Sequence, residues 1–381
     1  MIASHFLNIL NNFGIDFFSG VPDSLLNPIC DELYNRYGRD SDRHLIAHNE
    51  GGAVGYAAGY HLATGKVPCV YLQNSGIGNI VNPVCSLTSP YVYGIPVLYI
   101  IGWRGQPGIV DEPQHKFQGM ITAEQIKGLD VALYSFTKTT SEDDIVSILK
   151  DFEKLFAVGK SAVILVGKDA YSSSGSHEYK NSWTIIREKA IERIVEIAKE
   201  DIVVASTGKI SRELFEVRER AGDMHDRDFL TVGSMGHDAM IAFGIASQKQ
   251  GKKIWCIQGD GAFIMHMGQA ALIGSTSPDN LVHIVINNAA HESVGGMPTV
   301  GSDIDLCGIA KACGYKRVFS VNTIKELDEI LRTISLADKC SFLEIKCAMD
   351  SRKDLARPTT TPKENKEALM RLLTCKKYSK P

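Results

Sequence analysis

The sequence predicts an α/β protein of two doubly wound, parallel-sheet domains, on three observations. At 381 residues the chain exceeds the usual size of one compact domain. Apolar strand-like runs alternate with helix-period segments through both halves, as in parallel sheets covered by helices. One polar, small-residue stretch, DAYSSSGSHEYKNS (169–182), interrupts the alternation near the middle, as a linker does. The expected domains are 1–170 and 183–350, joined by a linker at 171–182 and followed by a partly helical tail at 351–381.

In chain order, MIASHFLNILNNFG at the N-terminus has helical spacing of its apolar residues. IDFFSG (15–20) reads as a short strand and turn, and PDSLLNPICDELYNRYG (22–38) as a helix beginning at Pro22. EGGAVGYAAGYHLATG (50–65) is a small-residue helix feeding the strand VPCVYLQ (67–73). A Gly/Asn turn, a helix from Ile80 and the strand IPVLYIIG (95–102) follow, and 103–119 reads as a long loop rich in Gly, Pro and charge. SEDDIVSILKDFEKLFAVG (141–159) starts with acidic residues and has a clean apolar face. SAVILVG (161–167) is continuously apolar, as a strand covered on both faces must be.

In the second half, helices are expected at 183–199, 209–220, 237–250 and 305–313. Strands are expected at 201–207, 228–232, 252–261, 280–286 and 341–347, with a further helix between the third and fourth. The halves echo one another faintly: AVGYAAGYHLATGKVPCVYL (53–72) and AMIAFGIASQKQGKKIWCI (239–257) are both small-residue helices leading into a buried strand.

A net charge of −3 argues against a nucleic-acid binder, which carries a basic surplus. Nine scattered cysteines include no Cys-x-x-Cys pair, so free thiols in a reducing cytoplasm are expected. The N-terminus lacks the basic start and apolar core of a signal peptide, and no apolar run reaches bilayer-spanning length. A cytoplasmic protein with no membrane partner is the expectation.

The chemistry concentrates at two strand ends in the second half. IWCIQGDGAF places Gly259, Asp260 and Gly261 where a strand meets a helix, the usual ligand position in a parallel α/β sheet. Glycines admit a ligand close to the backbone, and the helix N-terminus offers N–H groups to an anion. Asp260 would repel a phosphate unless a cation lay between them. The next strand, NLVHIVI, ends in Asn287 and Asn288, and a carboxylate with amide and carbonyl oxygens suits a hard octahedral ion such as Mg2+. By itself a Gly-Asp-Gly turn followed by loop-capping asparagines is also common in proteins that bind nothing.

The segment GDGAFIMHMGQAALIGSTSPDNLVHIVINN resembles the diphosphate–magnesium signature of thiamine-diphosphate-dependent enzymes. The resemblance extends over nearly the whole chain, through FFSGVPDSLLNPI (17–29), HNEGGAVGYAAGYHLATG (48–65), QNSGIGN (73–79) and GSMGHDAMIAFGIA (233–246). DEPQH (111–115) and HESVGGMPT (291–299) are most similar to the 2-keto acid decarboxylases acting on phosphonopyruvate, with the sulfopyruvate branch next. The resemblance implies a pyrimidine-binding domain followed by a diphosphate-binding domain. There is no room for the middle domain many keto-acid decarboxylases carry. It implies thiamine diphosphate and Mg2+ as cofactors and a small anionic 2-keto acid as substrate.

Carried over residue by residue, the resemblance makes Glu50 the glutamate that meets the cofactor's aminopyrimidine and promotes removal of its reactive proton. Asp260 and Asn288, with the carbonyl of Ala290, are the implied metal ligands, and Gly259, Gly261 and Ala262 line the diphosphate site. Gly233 is expected to accept the amino group through its carbonyl, and Met235 to prop the cofactor in a bent shape. For the substrate's two acidic groups the candidates are Arg104, His115, Lys116, Lys209, Arg212 and His291. Of these, His115 and His291 lie in the branch-like motifs and are also the expected catalytic histidines, hydrogen-bonding the second acidic group or returning a proton. The Gly295–Gly296 pair suggests a segment able to close over substrate. Finally, the resemblance implies a homodimer or higher assembly with active sites at the subunit interface, Glu50 of one copy facing Asp260 of another.

Overall fold

In the computed structural model, described over residues 1–374 except 174, 176, 178, 250 and 350, the chain forms two compact units. One comprises Met1–Glu178 with His291–Pro298, the other Tyr179–Ala290 with Thr299–Pro381. The linker expected over 171–182 falls partly on residues outside the described set, as do 375–381 of the tail.

The first unit holds a six-stranded sheet of β1 (Phe18–Gly20), β2 (His44–Ile46), β3 (Cys69–Gln73), β4 (Leu98–Gly102), β5 (Ala132–Phe136) and β6 (Ala162–Val166), in the order β2-β1-β3-β4-β6-β5. The second holds β7 (Ile202–Ala205), β8 (Asp228–Leu230), β9 (Ile254–Gly259), β10 (Leu281–Asn287), β11 (Arg317–Val321) and β12 (Ser341–Lys346), in the order β11-β12-β10-β9-β7-β8. All pairings are parallel. Counting β7 as a first strand and reading the second sheet from β8, its order is the same as the first sheet's, 2-1-3-4-6-5. The faint echo between the halves therefore reflects one topology used twice.

The continuously apolar strands are central and buried on both faces, as parallel sheets require. In the second unit Trp255, Ile257, Ile284, Ile286, Leu343 and Ile345 pack on one face, and Cys256, Val285 and Phe342 on the other. In the first unit Val70, Leu72, Tyr99, Ile101, Val163 and Leu165 form one such layer.

Several elements depart from expectation, each for a local reason. The helix expected from Pro22 starts at Asn27 (Asn27–Tyr37), because Asp23 folds the preceding residues into a turn: its carboxylate accepts from Leu25 N–H and its carbonyl from Leu26 N–H. The helix expected from Ile80 runs Ile77–Pro83, and Pro83, which has no N–H to give, passes into a wide π turn at Val84–Thr88. The loop expected to reach residue 119 ends earlier, at helix Pro113–Gly128. The single helix after the Gly-Asp-Gly turn divides into Asp260–Met265 and Gly268–Thr276. The edge strands β2, β5 and β11 and helix Ile324–Ser335, which Thr323 and Glu326 cap reciprocally, have no counterpart in the sequence reading.

Candidate active site

In the first unit the chemistry gathers at the C-terminal ends of β1, β3 and β4. Glu50 opens helix Glu50–Thr64, whose N-cap Asn49 accepts from Gly52 N–H at 2.7 Å. Its carboxylate is buried, 5% exposed, and its Oε2 accepts from Asn79 Nδ2 at 2.6 Å. Burial raises its pKa against the lowering effect of that bond. Gly76, in the short turn Asn74–Gly76 after β3, leaves the space the carboxylate fills; a Cβ there would collide with it. From the same turn, Asn74 donates to the Arg104 carbonyl at 2.8 Å and accepts from the Arg104 N–H at 3.1 Å. The turn thus ties the Glu50 helix to the segment after β4.

Arg104 is not a free cation awaiting a ligand. Its Nε donates to Asp111 Oδ2 at 2.8 Å, Nη2 to Asp111 Oδ1, and Nη1 to Ser24 Oγ at 2.8 Å. The pair keeps the Asp111 carboxyl far below its usual range, even against its partial burial. His115, in the first turn of helix Pro113–Gly128, is 8% exposed, and its Nδ1 is buried with no hydrogen-bond partner. Burial, helped by the Arg104 charge, lowers its pKa to about 4, so its imidazole is neutral at pH 7. His291 is half-buried and likewise lowered to about 4 by burial. Its carbonyl accepts from Val294 and Gly296 N–H groups, and Gly295 and Gly296 sit at φ +115 and +90, which only glycine adopts without strain. No hydrogen bond joins His115 to His291 among the described residues.

The sequence reading passed over Asp23. It is fully buried at the end of β1, its Oδ1 accepts from Gln73 Nε2 at 2.5 Å, and burial raises its pKa while the Arg104 charge lowers it. The signal was there in GVPDS, a carboxylate in the turn that follows a short strand.

In the second unit the site forms at the ends of β9 and β10. Asp260 is the first residue of helix Asp260–Met265 and is 2% exposed. Its Oδ2 accepts from Thr299 Oγ1, and backbone N–H groups of Gly261 and Asn288 also point at the carboxylate. Burial still raises its pKa to about 6, and no cationic side chain pairs with it among the described residues. Gly259 and Ala262 flank it, with Ile210 against Gly259. Asn288 Oδ1 accepts from Ala290 N–H at 3.1 Å, and Asn181 Nδ2 holds the Asn288 carbonyl at 2.8 Å. Asn287 points inward: Nδ2 donates to the Gly301 carbonyl at 2.7 Å and to Glu344 Oε1 at 2.8 Å, while Oδ1 accepts from Ala289 N–H at 3.0 Å. Ala289 takes the left-handed conformation, φ +57.

A divalent hard cation fits these residues. A buried carboxylate lacking a counter-charge, an amide oxygen and a carbonyl from one tight turn are the donors such an ion takes. Among the described residues no cluster of three or more His, Cys, Asp or Glu forms an alternative metal site. Gly233 and Met235 lie in the loop after β8. Gly233 N–H donates to Thr207 Oγ1 at 3.0 Å, and Gly236, φ +82, packs so tightly that a Cβ would lie 2.6 Å from His266 Cδ2. Asp238, fully buried just beyond, is pushed up to about 7 by burial, against donors from Ser206, Gln258 and the Gly236 N–H. Lys209 donates to Ser351 Oγ at 2.7 Å and Arg212 is half-buried in the first turn of helix Lys209–Ala221.

Residues 2–126 match the family described as thiamine pyrophosphate enzyme, N-terminal TPP binding domain, and residues 206–345 match its C-terminal TPP binding domain. The chain belongs to the thiamine-diphosphate-dependent 2-keto acid decarboxylases, which are carboxy-lyases. Within that class it is 33% identical over 372 residues to the phosphonopyruvate decarboxylase of Streptomyces viridochromogenes, covering 93% of this chain and 90% of the relative. The Streptomyces hygroscopicus phosphonopyruvate decarboxylase is 32% identical, with 95% and 91% covered. The sulfopyruvate decarboxylase of Methanosarcina acetivorans is 25% identical, with 89% of each covered. No helix among the described residues is long and apolar enough to cross a membrane.

Proposed function

We propose that the chain decarboxylates 3-phosphonopyruvate to phosphonoacetaldehyde and carbon dioxide, using thiamine diphosphate and Mg2+, as a cytoplasmic step of phosphonate biosynthesis. The observation that carries the substrate choice is similarity over almost the full length to two relatives of that activity, at 33% and 32% identity against 25% for the sulfopyruvate relative. Free cysteines at all eight described positions accord with a reducing compartment.

When bound, thiamine diphosphate supplies the electron sink that lets a 2-keto acid lose carbon dioxide. Asp260, Asn288 and the Ala290 carbonyl would hold Mg2+, and through it the diphosphate. Glu50, its pKa raised by burial, is the proton-handling carboxylate, steadied by Asn79 and Gly76. His115 and His291, held neutral, are suited to hydrogen-bonding the phosphonate rather than pairing with it as cations. Fixed positive charge near His115 comes from Arg104, whose orientation Asp111 sets. We further infer that the working unit is a homodimer or a multiple of dimers, with Glu50 from one copy acting beside Asp260 from another.

The test is a comparison of phosphonopyruvate, sulfopyruvate and pyruvate with purified protein, thiamine diphosphate and Mg2+, measuring aldehyde and carbon dioxide. The highest kcat/KM is expected for phosphonopyruvate. A higher value for sulfopyruvate would overturn the substrate assignment, and acyloin or acetohydroxy-acid products would identify a carboligase instead.

A further inference from the structure

We propose that Glu344 is a positioning residue for the metal turn, fixing the side chain of Asn287 and through it both arms of the site. The inference rests on the assignment of Asp260, Asn288 and Ala290 to the metal. Glu344 lies on β12, in register with Ser320 on β11 and Val285 on β10, so its side chain shares a sheet face with Ser320 and Asn287. It is 4% exposed. Its Oε1 accepts from Asn287 Nδ2 at 2.8 Å and its Oε2 from Ser320 Oγ at 2.7 Å, with the Cys307 thiol at 3.9 Å. No Lys, Arg or His forms an ion pair with it among the described residues.

A carboxylate buried in the middle of a sheet without a counter-cation is costly, and an apolar side chain would suit the surrounding layer better. What Glu344 gains is the orientation of one amide. With both N–H groups of Asn287 committed, to Glu344 and to the Gly301 carbonyl, its Oδ1 faces the Ala289 N–H. That bond meets Ala289 in the left-handed region, at φ +57, and the next N–H, that of Ala290, turns back onto Asn288 Oδ1 at 3.1 Å. The second arm runs through Gly301. A Cβ there would lie 2.7 Å from Asn287 Oδ1, 2.8 Å from Asp260 Oδ2 and 3.0 Å from Thr299 Oγ1, so Asn287 and Asp260 converge on one backbone position. Ser320, Glu344 and Asn287 form a polar row across three strands, ending at the metal turn. A metal site's outer layer acts in this way, and its loss lowers metal affinity without removing a ligand.

The test titrates Mg2+ into protein saturated with thiamine diphosphate and follows intrinsic tryptophan fluorescence. Glu344→Ala is expected to raise the half-saturating Mg2+ concentration about 10- to 100-fold. Glu344→Gln, whose carbonyl can still accept from Asn287, should stay close to the parent, a rescue that loss of mere bulk does not explain. Asp260→Ala should show no Mg2+-dependent signal; if it titrates like the parent, the metal assignment itself fails. If Asp260→Ala loses the signal while folded Glu344→Ala titrates like the parent, the Glu344 proposal alone is overturned. Should Glu344→Ala not fold, Glu344→Met decides, since it keeps the length of the side chain but offers Asn287 no oxygen acceptor. A half-saturating Mg2+ concentration raised at least about tenfold in folded Glu344→Met supports the proposal, and a value equal to the parent's overturns it.

Discussion

At the scale of the residue, two opposing effects act on the Glu50 carboxyl. A helix start would ordinarily favour an ionised glutamate, since the dipole and free N–H groups stabilise negative charge there. Burial works in the opposite direction and wins, so the carboxyl is raised. Glu50→Gln is expected to bind thiamine diphosphate with Mg2+ as the parent does while kcat falls about 10²- to 10⁴-fold; unchanged turnover would remove Glu50 from the chemistry. Gly76→Ala should act on the same group from outside, because its Cβ takes the space of the carboxylate. At least a tenfold fall in kcat is expected, with circular dichroism unchanged. Glu50 and Asp260 could be singled out in the sequence because each stands beside a glycine at the start of a helix, and Asn288 because it directly follows a buried strand. Asp23, Thr299, Gly301 and Glu344 could not, because each matters through a neighbour distant in the chain: Asp23 through Gln73, and Glu344 through Asn287.

Among the elements, legibility followed the way each one buries its surface. Central strands such as β6 and β10 are buried along their whole length, and their apolar runs announce them. Helix Pro113–Gly128 was read in part as loop because its buried face is built from His115, Gly119, Thr122 and Ile126, while Phe117 and Met120 face outward. No hydrophobic periodicity survives that arrangement. Strand β10 also carries a buried polar device. His283 is 1% exposed, bonded to Tyr315 Oη at 2.8 Å and Gln258 Oε1 at 2.9 Å, and burial lowers its pKa to about 3. A histidine depressed in the folded state takes up its proton first in the unfolded one. Its stabilisation is therefore present above pH 6.5 and lost as pH falls toward 3. His283→Gln, which cannot titrate, should lose less stability than the parent between pH 6.5 and 4, by up to on the order of 3 kcal/mol. Denaturant melts at the two pH values measure it, and equal acid losses in both proteins would contradict a neutral buried imidazole.

At the scale of the whole molecule, one strand order is used twice. The first unit carries Glu50, Arg104 and His115 and the second Asp260, Asn288 and Ala290, to which we assign proton handling and metal binding as a proposal. The sequence revealed the two-sheet plan through its alternation. The assignment of 291–298 to the first unit was hidden, because only folding brings Gly295 against Asn27. The proposed pairing of Glu50 from one copy with Asp260 from another is best tested by co-expressing Glu50→Gln with Asp260→Ala. In a randomly mixed dimer population, half the dimers are mixed and each mixed dimer has one intact site. About a quarter of the parent activity is therefore expected, although neither variant alone is active. Mixed dimers that form but show no activity above the separate variants would place both residues in a site within one chain and contradict the account.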